Sequence, residues 1–167
     1  QDGRPLSDAG LRGRAVLVTF IYTRCPVPDY CPLMSGNFAA VHRELERDAA
    51  LGAQAQLLSV TLDPAYDTPK VLRSYGAAYT ERYGEETFER WQFATGDPAE
   101  IRRLAQFLGL AYKEESGQIV HSLRTALVAP DGKLHKLYRG NEWKPEQVID
   151  DLRKLVSGLL LLHSTHN

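Results

Sequence analysis

Three continuous apolar runs predict the strands of a buried sheet. Residues 15–22 form a β-branched and aromatic run, and residues 55–62 form a second run of the same character. Such runs are typical of strands that are covered on both faces. A shorter run at residues 91–94, which contains Trp91 and Phe93, predicts a third strand.

Each predicted strand is followed by a segment whose apolar residues recur at the three- and four-residue spacing of one helix face. These segments predict helices over about 32–48, 69–82 and 98–108. A proline opens each helix, which fits the first helical position because the missing N–H loses no hydrogen bond there. Thr68 and Asp97 precede two of these prolines as N-caps. A fourth helix is predicted from Pro145 to about 162, with a core side formed by Val148, Leu152, Leu155, Val156 and Leu159.

The rest of the chain is predicted to form one hairpin and two irregular segments. Asp131-Gly132 stands between residues 123–129 and 133–138, and this dipeptide is a strong signal for a β-hairpin. Residues 1–14 are interpreted as a loop or small hairpin anchored by Leu6 and Leu11, and residues 111–120 as a polar loop. The alternation of strands and helices, closed by the hairpin, predicts an α/β sandwich of thioredoxin type. It has a central mixed β-sheet with helices on both faces.

Length and charge limit the organisation and the partners of the chain. Its 167 residues predict one domain, 1–167, and its 43% of hydrophobic residues are enough for a real core. A net charge of −1 argues against a nucleic-acid partner. No run reaches the ~18 apolar residues of a membrane span. The chain begins with Gln1, so we expect a processed or trimmed chain, for which a missing leader or anchor says nothing about location.

Both cysteines of the chain, Cys25 and Cys31, lie between the first predicted strand and the first helix. Backbone N–H groups and the helix dipole stabilise a thiolate at such a place. Residues six apart point to opposite sides of a helix, and three nearby prolines favour an extended backbone, so the segment is predicted to be a loop. The cysteines could be a redox pair, metal ligands or one structural bridge. Two unrelated thiols are disfavoured because the cysteines are such close neighbours.

The number of thiols and the position of one histidine narrow the possible metals. Two thiolates are too few for a closed structural zinc site, whereas two thiolates and one imidazole suit copper. Among the five histidines, His42 is placed mid-helix, His135 on a solvated strand, and His163 and His166 in a polar tail. His121 ends a loop and opens a strand, where active sites of parallel sheets collect. A simple loop histidine capping a strand remains an alternative at this stage.

Five segments, taken in order, resemble the Sco/SenC family of thioredoxin-fold copper proteins over nearly the whole domain. Residues 20–26 are similar to its Phe-x-Tyr/Phe-Thr-x-Cys-Pro motif, and residues 59–69 to its Ser-x-Asp-Pro-x-x-Asp-Thr-Pro segment. The other three are Cys31-Pro32-Leu33-Met34, the strand from Trp91 to Gly96, and His121-Ser122 with the following strand and Asp131-Gly132-Lys133.

The resemblance implies a copper site, with Cu(I) or Cu(II), formed by Cys25, Cys31 and His121. It also implies that the Asp63 carboxylate lies near this site. Family members help to assemble the binuclear copper centre of cytochrome c oxidase, as copper donors, as reductants of its cysteines, or both. The implied partners are a copper-accepting oxidase subunit and a thiol–disulfide reductant. The implied location is outside the bacterial cytoplasm, in the periplasm, often on a membrane anchor, and the implied role is that of a metallochaperone rather than an enzyme.

The spacing of the cysteines departs from the family pattern. The usual arrangement is Cys-x-x-x-Cys, whereas five residues separate Cys25 from Cys31. The two sulfurs must therefore be brought together by a different backbone geometry. We expect this difference to affect copper affinity more than the ability to form a disulfide. The Asp29 carboxylate is expected to oppose thiolate formation, and the Arg24 guanidinium to favour it.

Two other classes of protein compete with a copper-binding assembly factor. A thiol–disulfide oxidoreductase without copper would attack through its more exposed thiol; we favour Cys25, although Cys31 is nearer the helix N-terminus. A peroxiredoxin-type peroxidase is disfavoured. That family places Thr or Ser three residues before its reactive cysteine, whereas this chain has Tyr22 before Cys25 and Pro28 before Cys31. An ordinary thioredoxin is disfavoured because His121-Ser122 stands where that family has a cis-proline.

Overall fold

The structure, a computed structural model, describes residues 1–6 and 8–164, with side chains described for 1–6 and 10–158. The helices are α1 (Asp8–Leu11), α2 (Cys31–Arg47), α3 (Ala49–Gln54), α4 (Pro69–Thr80), α5 (Pro98–Phe107) and α6 (Pro145–Ser164). The strands are β1 (Ala15–Ile21), β2 (Ala55–Thr61), β3 (Trp91–Ala94), β4 (Tyr112–Glu115), β5 (Gln118–His121), β6 (Arg124–Val128) and β7 (Leu134–Arg139).

Five strands form one mixed sheet in the order β3-β2-β1-β6-β7. Strands β1, β2 and β3 are parallel, while β6 runs antiparallel to β1 and β7 antiparallel to β6. Every residue of β1 and of β2 is buried, which is what their continuous apolar runs predict. The predicted mixed sheet and its closing hairpin are confirmed.

Side chains that alternate along the central strands feed two separate cores. Leu17 and Ile21 of β1 point to the core that α2, α4 and α6 close, and that core also contains Trp91. Val18 and Phe20 point to the core that α5 closes. Because successive side chains of a strand point to opposite faces of the sheet, β1 contributes side chains to both cores. The predicted three layers, with helices on both faces of the sheet, are confirmed.

Two segments have a secondary structure that the apolar pattern of the sequence did not predict. Residues 111–120, predicted as a loop, contain strand β4 and part of β5, which pair as a separate two-stranded hairpin. Ser116 and Gly117 make its turn with φ of 53° and 75°, and two successive residues with positive φ are typical of a tight hairpin turn. Helix α3 was not predicted; the Asp48 side chain caps it by accepting the N–H of Leu51 at 3.0 Å.

The two ends of the chain also correct or limit the predictions. The first 14 residues contain α1 rather than a hairpin, and Leu6 is 42% exposed, so it is not an anchor. Leu11 packs against the core closed by α5, as predicted. No helix in the described part of the chain has the length and apolar character needed to cross a bilayer. The predictions for the side chains of Leu159, His163 and His166 lie outside the described side chains.

The mid-helix histidine makes folding stability depend on pH. His42 is buried beside Trp91, with ring centroids 6.0 Å apart, and burial lowers its pKa. The unfolded chain therefore binds more protons below the ordinary pKa of about 6.5, so the free energy of unfolding should fall as pH drops from about 7 to 5. We expect His42→Gln to flatten this pH dependence in urea unfolding, and exposed His135→Gln to leave it unchanged. Equal slopes in the two variants would contradict the assignment.

Candidate functional site

The cysteine segment begins where β1 ends and finishes inside the first turn of α2. Cys31 is the first residue of α2 and is wholly buried, whereas Cys25 lies in the loop just after a turn at Thr23 and Arg24 and is half-buried. The Cys25 N–H donates to the Tyr22 carbonyl at 3.2 Å, and the Cys25 thiol lies 3.9 Å from the Val27 carbonyl. Both thiols are free. The predicted loop is confirmed, and Cys25 is the more exposed thiol, as the sequence analysis favoured.

The two thiols have different environments. Burial raises the pKa of Cys31, the backbone N–H of Tyr22 opposes this rise, and the neighbouring Cys25 adds to it. Tyr22 is itself buried, and burial together with Cys25 raises its pKa to about 12. Cys31 is therefore protonated at neutral pH unless a cation or a metal compensates its charge. Chemistry with an outside partner begins more readily at Cys25.

His121 lies beside the buried thiol although it is 90 positions away in sequence. It is the last residue of β5 and only 6% exposed. Its Nε2 is 3.7 Å from the Cys31 Sγ, and its Nδ1 is 3.1 Å from the Ser122 carbonyl. Because a carbonyl only accepts, Nδ1 carries the proton and Nε2 presents a lone pair toward the sulfur. Burial also lowers the pKa of His121, which favours the neutral imidazole that a metal requires.

This pair has the spacing of two ligands on one ion. With metal–sulfur and metal–nitrogen bonds of about 2.3 Å and about 2.0 Å, two such ligands lie roughly 3.5–4.3 Å apart. The donor atoms, one thiol sulfur and one imidazole nitrogen, suit a soft ion. Within the described side chains, however, no three His, Cys, Asp or Glu residues form a closed metal cluster. Cys25 is a neighbour of Cys31, and the set of Cys25, Cys31 and His121 as metal ligands stays a prediction.

Asp63 reaches the cysteine segment through Arg24 rather than through a sulfur. Its Oδ2 accepts from the Arg24 Nη2 at 2.6 Å and from Nε at 3.1 Å. The Arg24 guanidinium also lies 4.3 Å from the Tyr66 ring centroid. The positive charge next to Cys25 is thus paired with Asp63, which limits the expected support of Arg24 for a Cys25 thiolate. The exposed Asp29 contributes its backbone carbonyl, which accepts from the Asn141 side chain at 3.1 Å.

Asp67, which the sequence analysis placed only inside a motif, anchors the start of the cysteine segment. Its carboxylate is wholly buried and accepts the Thr23 N–H at 3.1 Å, the Thr23 hydroxyl, and the Thr61 hydroxyl at 2.5 Å. Ile21 and Thr61 are register partners at the ends of β1 and β2. The signal available in the sequence was a carboxylate close to two hydroxyl residues, one at the end of β2 and one just beyond β1.

Two tyrosines complete the surroundings of His121, and neither was predicted as part of the site. The Tyr22 ring centroid lies 5.9 Å from that of His121, at an interplanar angle of 75°. The Tyr30 ring centroid lies 6.1 Å away, at 74°. Both are edge contacts of the kind that aromatic rings favour. The imidazole is therefore held by its Nδ1 hydrogen bond and by two rings.

Comparison with known proteins gives one consistent family. The family model described as SCO1/SenC matches residues 1–157. The SCO1 protein homolog of Bacillus subtilis is 32% identical over 92% of this chain and 77% of its own length. A candidate copper-binding protein of Stutzerimonas stutzeri is 30% identical over 96% of this chain and 72% of its own length.

A solved structure agrees with the fold. BsSco, a member of the Sco family of cytochrome c oxidase assembly proteins in which a disulfide switch was identified, superposes with a TM-score of 0.75. It is 29% identical, and the match covers 93% of this chain and 87% of that chain. The thioredoxin-type architecture predicted from the sequence is confirmed.

Proposed function

Because this chain belongs to the SCO1/SenC family, we propose that it is a copper-binding assembly factor. Cys25, Cys31 and His121 are its copper ligands, for Cu(I) or Cu(II). The observation that carries the proposal is the buried pair of Cys31 Sγ and His121 Nε2, 3.7 Å apart. The candidate copper-binding protein of Stutzerimonas stutzeri supports copper as the metal.

The three ligands have unequal roles in this proposal. Cys31 and His121 are buried and already adjacent, so they form a preorganised half of the site. Cys25 is half-buried and lies in the loop between β1 and α2, so it is the donor that completes the site and the one that a partner thiol meets first. A bound copper cation offsets the cost of ionising the buried Cys31 thiol.

The partner and the location belong to the same proposal. The chain delivers copper to, or reduces the copper-site cysteines of, a cytochrome c oxidase subunit, and a thiol–disulfide reductant returns it to the dithiol form. It acts as a metallochaperone rather than an enzyme. BsSco belongs to a family of cytochrome c oxidase assembly proteins, which supports this role. Work outside the cytoplasm, in the periplasm and on a membrane anchor, rests on the sequence resemblance alone.

A thiol–disulfide oxidoreductase without copper is the second candidate, and the unequal thiols favour it. In this reaction the Cys25 thiolate attacks a partner disulfide, and one partner sulfur leaves as a thiolate. Cys31 then loses its proton and attacks Cys25, which releases the second partner thiolate and leaves a Cys25–Cys31 disulfide. The partner gains two electrons and this chain loses two. The disulfide switch identified in BsSco supports such a reaction.

Copper titration of the reduced protein separates the two functions. We expect uptake of about one copper per chain, because one set of two thiols and one imidazole is present. Uptake should be lost in the double variant Cys25→Ser/Cys31→Ser, and absorption spectroscopy reports the bound ion. Uptake no greater than in that variant, together with rapid disulfide formation in the native chain, would replace the copper function with the oxidoreductase function.

A further inference from the structure

The five-residue spacing between the cysteines brings a tyrosine to the site. Pro26 and Pro28 stiffen the loop, and Tyr30 is its last residue before Cys31. The Tyr30 ring makes its edge contact with His121 at 6.1 Å between centroids. Cys31 is 0% and His121 6% exposed, whereas Tyr30 is 39% exposed. The Tyr30 ring is therefore partly open to solvent and, on the protein side, touches the ring of the buried His121.

The backbone of the loop fixes the place of Tyr30. The Tyr30 N–H donates to the Val27 carbonyl at 3.1 Å, and the Tyr30 carbonyl accepts the Met34 N–H at 2.9 Å. The Leu33 N–H donates to the Pro28 carbonyl at 3.1 Å. Since these contacts are made by the backbone, they persist when the ring is removed. The contribution of the ring can therefore be tested without dismantling the loop.

We propose that Tyr30 is a positioning residue that shields the Cys31–His121 pair, so that partners and chelators gain access to the site through Cys25 first. The proposal deepens the copper function proposed above and rests on it for the order of ligand exchange. Shielding of the Cys31 thiol itself is independent of copper. Tyr22 does not share this role, because it is only 5% exposed and belongs to the core.

Shielding has a different signature from simple packing at the start of α2. If Tyr30 only packs there, its removal lowers stability and leaves the relative reactivity of the two thiols unchanged. If it shields the pair, its removal raises the reactivity of Cys31 and leaves that of Cys25 unchanged. Leu33 provides the matched control, because it lies in the first turn of α2, which Tyr30 precedes as the N-cap, and its exposure of 37% is close to the 39% of Tyr30.

The test is alkylation of the reduced, copper-free protein by iodoacetamide at one fixed pH. In a Cys25→Ser background, Tyr30→Ala should raise the Cys31 rate roughly 2- to 12-fold, the range that loss of one aromatic contact allows. Tyr30→Phe keeps the ring edge and should leave the rate unchanged, as should Leu33→Ala. Tyr30→Leu, which keeps an apolar side chain, should show the same rise as Tyr30→Ala. In a Cys31→Ser background, Tyr30→Ala should not change the Cys25 rate.

Two outcomes would overturn the shielding role: an unchanged Cys31 rate in both Tyr30→Ala and Tyr30→Leu, or an equal rise for Cys25 and Cys31. A second measurement is the rate at which a Cu(I) chelator removes copper from the loaded chain, which should rise in Tyr30→Ala and not in Tyr30→Phe. A faster Cys31 reaction in a chain that takes up no copper would leave shielding in place and reject the copper function. The two proposals therefore fail separately.

Discussion

Replacing His121 with alanine is expected to abolish stoichiometric copper uptake by the reduced protein. The imidazole supplies the only nitrogen donor at the site among the described side chains, and its Nε2 already faces the Cys31 sulfur at 3.7 Å. Changes to groups that merely orient a ligand cost about 10–100-fold in metal affinity, so loss of the ligand itself should exceed about 100-fold. The affinity is measured by competition with a Cu(I) chelator.

The control for this variant is His135→Ala. His135 is exposed on β7, so its loss should leave copper affinity unchanged. Circular dichroism and the denaturation midpoint show whether His121→Ala remains folded, since it removes a buried ring packed against Tyr22 and Tyr30. A folded His121→Ala protein with native copper affinity would remove His121 from the ligand set. Copper would then have to be held by the cysteines and by a group not identified above.

Replacing Asp67 with alanine is expected to cause the largest loss of stability among the variants considered. The change leaves the Thr23 N–H and the hydroxyls of Thr23 and Thr61 without their shared buried acceptor. Each unsatisfied buried donor costs about 1–3 kcal/mol, so the free energy of unfolding should fall by about 3–5 kcal/mol. Urea unfolding monitored by tryptophan fluorescence measures it.

A matched carboxylate shows whether this loss is specific to burial. Asp97 caps α5 by accepting the Ala99 N–H at 2.8 Å, but it is exposed, so Asp97→Ala should cost only about 1 kcal/mol. Asp67→Asn keeps the shape of the side chain and should fall between the two. If Asp67→Ala lost no more stability than Asp97→Ala, the buried carboxylate would not be the anchor of the cysteine segment.

The centre of the main sheet could be predicted from the sequence because β1 and β2 are buried on both faces. The sequences of β1 and β2 are mainly apolar, and a continuous apolar run of this kind predicts a strand that is covered on both faces. The β4–β5 hairpin carries no such signal, since Lys113, Glu114 and Glu115 are exposed. Its turn places Ser116, a residue with a side chain, at positive φ. A positive φ at a residue other than glycine cannot be predicted from the pattern of apolar residues.

The members of the site were only partly accessible to sequence reasoning. His121 stood out by its predicted place at the end of a loop and the start of a strand and by the family resemblance, but it is the last residue of β5. Its 3.7 Å approach to Cys31 depends on packing across 90 positions. The competing effects of Arg24 and Asp29 could not be weighed until the pairing of Arg24 with Asp63 was known. The sequence predicts only that Tyr30 belongs to a loop, and its contact with His121 depends on the packing of that loop against the end of β5.

The loop that carries Cys25 emerges from the middle of the sheet, because β1 pairs with β2 on one side and with β6 on the other. A strand held along both edges and buried on both faces is the stiffest part of a domain. Under the proposed function, we expect copper binding or oxidation to change the loop and to leave this sheet unchanged. A partner of the proposed assembly factor would then distinguish these states by the few surface residues of the loop.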